Sequence, residues 1–125
     1  MKIAVISDIH SNIEALKAVL KDIDERQTDT IACAGDLVGY LPFPNEVIDL
    51  VRRRNIDCVM GNYDDAIGNT RPVCGCEYKD DRARELGERS LAWTMKCVTE
   101  ENKAFLRSLS REINLIINNR SVKIV

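Results

Sequence analysis

The sequence predicts an α/β domain organised around a short parallel sheet. Three apolar runs rich in β-branched and small residues are separated by stretches of helical period, and each run is followed at once by a polar cluster. Such alternation implies crossover connections, and places any ligand site at the edge where strands end and helices begin.

Taken in order, Lys2 to Ser7 is the first apolar run and reads as a buried strand. Ile13, Leu16, Val19, Leu20 and Ile23 recur at helical spacing, with Ser11 and Asn12 as candidate caps. Thr30 to Ala34 is the second strand, ending at Gly35-Asp36. Pro44 suits a first helical position, and Val47, Ile48, Leu50 and Val51 follow it. Asp57 to Met60 is the third strand, ending at Gly61-Asn62. Asn69 to Asp81 has mixed polarity, Gly and Pro, and no period, so it is expected to be a loop.

Arg82 to Lys96 and Thr99 to Leu109 predict two more helices; Phe105, Leu106 and Leu109 supply the apolar face of the second. Leu86, Leu91 and Trp93 are expected to pack in a core or interface, and the charges from Lys79 to Arg89 to lie on a solvated face. In the tail, Ile113, Leu115 and Ile117 alternate before Asn118-Asn119-Arg120 and then Val122, Ile124 and Val125, the pattern of a β-hairpin.

The bulk properties narrow the function. The 125 residues are 45% hydrophobic and 30% charged, with a net charge of −2. No basic stripe points to nucleic acid. No apolar run approaches the roughly 18 residues of a membrane span, and none resembles a signal peptide, so a cytoplasmic location is expected. Five cysteines are present. Cys33 and Cys58 sit in apolar runs as small buried hydrophobes. Cys74-Gly75-Cys76 is a tight pair without the second pair or nearby histidine of a zinc site, and free thiols are expected throughout. The chain has a single histidine, His10.

The polar clusters carry the chemistry: Asp8-Ile9-His10, Gly35-Asp36 and Gly61-Asn62-Tyr63-Asp64. At adjacent ends of a parallel sheet they bring together two carboxylates, an imidazole and an amide oxygen. That hard-to-borderline donor set suits Mn, Fe or Zn. Asp8 and His10 share one side if strand geometry persists through them, and the glycines before Asp36 and Asn62 permit sharp turns and close approach. Singly, each piece has a plainer reading: Asp8 as a helix cap, His10 as a surface residue, Asp36 and Asn62 as turn residues, and Tyr63 as a packing aromatic. All three together, in order, each after a buried strand, point to a metal site. A nucleotide-binding Rossmann reading is weak, because no G-x-G-x-x-G follows the first strand.

These three motifs resemble the first three of the calcineurin-like metallophosphoesterases. Asp8 to Leu16 (DIHSNIEAL), Gly35 to Glu46 (GDLVGYLPFPNE) and Asn102 to Leu109 (NKAFLRSL) resemble a small prokaryotic phosphoesterase subfamily. The resemblance implies the first half of an α/β/β/α sandwich, with the hairpin beginning the second sheet. It also implies phosphodiester or phosphomonoester hydrolysis by a hydroxide bridging two divalent ions. In that scheme Asp8 and His10 hold the first ion, Asp36 bridges both, and Asn62 binds the second.

Two departures from the family pattern stand out. Where the family has a histidine that assists the leaving group, this sequence has Tyr63. Asp64, the partner that orients that histidine, is retained, so Tyr63 and Asp64 are the catalytic candidates. A phenol is not tuned to exchange protons at neutral pH, which favours good leaving groups and so phosphodiesters. The family's later histidines have no counterpart either, which leaves the second metal position incomplete. Residues 1–125 are therefore expected to be one phosphoesterase domain that stops short. Two functions follow as expectations: a metal-dependent phosphoesterase acting on a small phosphoester, or a non-catalytic metal-binding module. An exposed sheet edge would favour self-association in either case.

Overall fold

Short β-branched runs and amphipathic segments alternate along the chain, and the fold follows that alternation. The structure, a computed structural model, describes all 125 residues. In order the elements are β1 (Ile3–Ile6), α1 (Ile13–Glu25), β2 (Thr30–Cys33), α2 (Pro44–Arg53), β3 (Asp57–Cys58), α3 (Asn62–Gly68), α4 (Asp81–Cys97), α5 (Glu100–Ser108), β4 (Ile113–Ile117) and β5 (Arg120–Ile124). Strands β1, β2 and β3 form a parallel sheet in that order, with Val5 opposite Ala32 and Cys33 opposite Cys58. Strands β4 and β5 form a separate antiparallel sheet. All five helices send residues into one core with Cys33 and Cys58. It includes Leu16 and Leu20 of α1, Val47, Ile48 and Val51 of α2, Ile67 of α3, Leu91 of α4 and Leu106 of α5.

The opposite face of the parallel sheet is covered by the hairpin. Ala32, Val59 and Ile124 form a second cluster, with Ile113 and Leu115 packed against it. The two sheets are stitched where Val59 bridges Ser110 and the Met60 amide donates to the Ser110 carbonyl at 2.8 Å. Val5, in register with Ala32, remains 58% exposed, so the hairpin covers only part of that face.

Local chemistry sets the boundaries. Asn12, Asp80 and Thr99 cap α1, α4 and α5 by accepting from the amides of Ala15, Ala83 and Asn102. Pro44 opens α2. Asn118 and Asn119 have φ of 48° and 64°, the left-handed pair that a tight two-residue hairpin turn requires. Asn45 and Asn102 join α2 to α5: the Asn102 amide donates to Asn45 Oδ1 at 2.9 Å, and Asn45 donates to the Cys97 carbonyl at 2.8 Å. Two of the segments that carry the family resemblance thus meet through one amide pair, buried Asn102 and half-buried Asn45.

The structure departs from the sequence reading in four places. Helix α3 was not anticipated; its seven residues, NYDDAIG, are too few to show a period, yet Tyr63, Asp64, Ala66 and Ile67 are buried. The third strand is shorter than Asp57 to Met60, because Val59 turns to bridge Ser110. Leu91 is buried as expected, but Trp93 and Leu86 are exposed on α4 and so lie outside the core. The expectation of free thiols throughout is corrected as well. Cys33, Cys58 and Cys97 are free, but Cys74 and Cys76 form a disulfide, a closure their two-residue separation permits and their composition does not reveal. No helix is long and apolar enough to cross a membrane.

Candidate metal centre

The loops that leave β1 and β2 run side by side and prolong the sheet's pairing. The amides of Asp8, His10 and Ser11 donate to the carbonyls of Gly35, Asp36 and Leu37 at 3.0, 3.0 and 2.8 Å. Strand geometry does not persist through Asp-x-His: Asp8, His10 and Ser11 have φ of 55°, 46° and 62°. Left-handed backbone at non-glycine residues costs about 1–2 kcal/mol each, and the inter-loop hydrogen bonds hold it in place. Gly35, at φ 105°, makes the matching turn on the second loop without that cost, and Asp36 follows at φ 56°.

This backbone brings Asp8 Oδ1 to 3.6 Å from His10 Nε2. His10 Nδ1 lies 2.9 Å from the Val38 carbonyl, which can only accept, so Nδ1 donates there and Nε2 is the ring nitrogen on the Asp8 side, free of any backbone partner. One ligand atom from each of Asp8, His10 and Asp36 lies within 4.8 Å of the others. Asp36 Oδ1 accepts from the Tyr63 amide at 3.0 Å. Burial raises the Asp36 pKa; the Tyr63 amide and His10 oppose that shift. Two carboxylates and an imidazole whose Nε2 faces them are a donor set that fits a divalent first-row ion.

Asp64 shapes the site from beneath. Fully buried, its carboxylate accepts from the amides of Asp36 at 2.8 Å, Leu37 at 2.9 Å and Gly61 at 3.0 Å. It thereby fastens the loop after β2 to the start of α3. Burial pushes its pKa up to about 6 against those three hydrogen bonds. Gly61 has an ordinary extended φ, and close approach is what makes it necessary: a Cβ there would collide with the Asp36 amide and carboxylate.

Asn62 opens α3 and is exposed, between Gly61 and Tyr63, which both touch Asp36. Its Nδ2 donates to the Cys74 carbonyl at 3.1 Å and to Cys76 Sγ at 3.3 Å. Tyr63 is 2% exposed. Its ring meets His10 edge-on at 5.3 Å and tilts against Tyr40 at 4.9 Å, and its hydroxyl is buried without a hydrogen-bond partner. Burial, reinforced by the phenols of Tyr40 and Tyr78, pushes its pKa far above the ordinary phenol range. Asp64 bonds backbone amides rather than the Tyr63 hydroxyl.

Of the residues singled out in the sequence, the structure gathers Asp8, His10 and Asp36 into one group. Asn62 stands outside that group with its amide nitrogen on Cys74 and Cys76, while Tyr63 packs on His10 and Asp64 bonds the Asp36 amide. Two contributors have no side-chain signal that could have revealed them: the Val38 carbonyl and the Cys74 carbonyl are backbone groups.

An α/β domain with a candidate Asp/His/Asp metal group at its strand ends has the architecture of a phosphoesterase domain. The chain belongs to the calcineurin-like phosphoesterase family, whose model matches residues 1–115. It is 42% identical over 120 residues to an uncharacterized protein of Methanocaldococcus jannaschii, covering 96% of this chain and 46% of that one. A metallophosphoesterase crystal structure from Sphaerobacter thermophilus is similar at 36% identity and a TM-score of 0.66, over 90% of this chain and 42% of that one. A hypothetical protein from Pyrococcus horikoshii is similar at 25% identity and a TM-score of 0.81, over 98% and 53%. The chain spans about half the length of the relatives it matches.

Proposed function

We propose that this chain carries the first half of the active site of a metal-dependent phosphoesterase that hydrolyses a small phosphoester. The single observation that supports this most is the Asp8, His10 and Asp36 group, three ligand atoms within 4.8 Å of one another. Asp8 and His10 would hold one divalent ion, Asp36 would bridge to a second, and Asn62 would serve the second. Lewis acidity towards a phosphoryl oxygen and activation of water are what such ions supply. The chain's own residues orient: Val38 fixes the His10 tautomer, Asp64 holds the Asp36 loop, and Tyr63 and Tyr40 wall the imidazole.

A cleft of about 560 Å³ beside Asn62, bordered by Cys74, Cys76, Tyr78, Arg84 and Glu88, gives the non-reacting part of a substrate a place to bind, with Arg84 as its cation. The buried Tyr63 supplies no ready proton to a leaving group, which favours phosphodiesters with good leaving groups over monoesters.

The test is Mn²⁺-dependent hydrolysis of a bis-aryl phosphodiester, with Asp36→Asn as control. Turnover that disappears in the variant is the expected result. Absence of turnover in a folded protein that binds Mn²⁺ would instead favour the second reading, a metal-binding module without catalysis. That alternative draws on the same buried Tyr63.

A further inference from the structure

We propose that the ring closed by Cys74, Gly75 and Cys76 positions the Asn62 side chain, and that its redox state sets affinity at the metal position Asn62 serves. The inference rests on Asn62 being a metal ligand, as read above.

Asn62 is an exposed first residue of a short helix, and an unrestrained amide there samples several rotamers. Two contacts restrain it, and both come from the ring: the Cys74 carbonyl and Cys76 Sγ. A carbonyl can only accept, so the amide nitrogen must face Cys74. That leaves Oδ1, the atom a hard cation takes, turned away from the ring. The ring thus selects which end of the amide is offered for coordination.

The ring sits in a stretch without regular structure and is itself anchored. Gly75 adopts φ 79° to close it. Cys74 Sγ lies 3.5 Å from the Tyr78 hydroxyl, and Tyr78 packs where any side chain at Gly87 of α4 would collide with it. The anchorage runs from α4 through Tyr78 to the disulfide and so to Asn62. Cutting the disulfide removes the one covalent constraint in that chain.

A small dithiol reductant makes the cut by exchange. The S–S bond accepts two electrons and two protons and becomes the Cys74 and Cys76 thiols, and the reductant closes to its own cyclic disulfide. Oxidised glutathione reverses it. In the reduced state the loop gains freedom, Cys76 Sγ leaves the amide, and Asn62 must be ordered by the ion itself, which weakens binding.

The experiment is Mn²⁺ calorimetry on the full chain, oxidised and reduced, with free thiols counted by mass spectrometry. The Asn62 side-chain amide resonances are followed by NMR in the metal-free protein. Reduction is expected to shift those resonances and to weaken the second Mn²⁺ by about tenfold, while the first, held by Asp8 and His10, is unchanged. The Cys74→Ser/Cys76→Ser variant should show the weaker value with or without reductant. Equal affinities and unmoved Asn62 resonances in the two redox states would overturn the role of the ring and leave the phosphoesterase reading intact. Failure of both forms to bind any Mn²⁺ would overturn both.

Discussion

Asp36 and Asp64 are tied together in both directions. The Asp64 carboxylate accepts from the Asp36 amide at 2.8 Å, and the Asp36 carboxylate accepts at 3.0 Å from the amide of Tyr63, the residue just before Asp64. The two loops that flank the candidate metal centre therefore hold each other's acids in place.

Replacing Asp64 by Ala strands three amides, that of buried Leu37 and those of half-buried Asp36 and Gly61. At about 1–3 kcal/mol for each donor left unpaired, a loss of at least 3 kcal/mol is expected. Urea unfolding of the metal-free variant measures it, and a loss below about 1 kcal/mol would show that the knot is not structural.

The same carboxyl makes a pH prediction. Its pKa of about 6 stands above the ordinary 3.8, so the native state holds this proton more tightly than the unfolded chain does. The stabilisation it contributes is complete below the unfolded value and is lost as pH rises through about 6. The Asp24 carboxyl, held down by its hydrogen bonds with Arg54, acts with the opposite sign and loses its contribution as pH falls. Carbon NMR titration of the metal-free protein should place the Asp64 midpoint near 6, and Asp64→Asn should abolish the pH dependence of stability from this group.

Two glycines separate crowding from backbone conformation. Gly61→Ala drives a methyl into Asp36, and a loss of about 2–4 kcal/mol with impaired metal binding is expected. At Gly75, φ is 79° but the space is open, so Gly75→Ala should cost about 1 kcal/mol. Comparable losses in thermal unfolding of the two would contradict the packing argument.

Metal removal is the fourth test. Mn²⁺ should raise the melting temperature of the wild-type chain, and a chelator should reverse the rise. Neither should act on His10→Ala, which removes the nitrogen that Val38 keeps turned towards Asp8. An undiminished Mn²⁺ response in that variant would place the ion elsewhere.

Much of this was legible in the sequence. Three apolar runs each followed by a polar cluster announce β1, β2 and β3 and the acids at their ends, because burial and strand period leave a strong trace. Asn118-Asn119 announces the hairpin turn for a local steric reason. Helix α3 left no trace: seven residues with adjacent acids show no period, and it is held by the core through Ile67 and Ala66 rather than by propensity. For Tyr63 the sequence left packing aromatic and catalytic group side by side; its burial depends on Gly39 and Tyr40 folding over its ring from another loop, which no local pattern encodes. Asp-x-His predicted the right neighbours through the wrong geometry. The two side chains converge because the backbone turns left-handed, not because it stays extended.

The ladder of amides from Asp8, His10 and Ser11 onto the loop after β2 has a consequence in time as well as in space. Those hydrogens belong to the same cooperative unit as the parallel sheet, and should exchange with solvent only when that unit opens. An ion arriving at the candidate centre would then meet a finished cradle. The cost of shaping the centre was met during folding, so little ordering remains to slow or weaken capture.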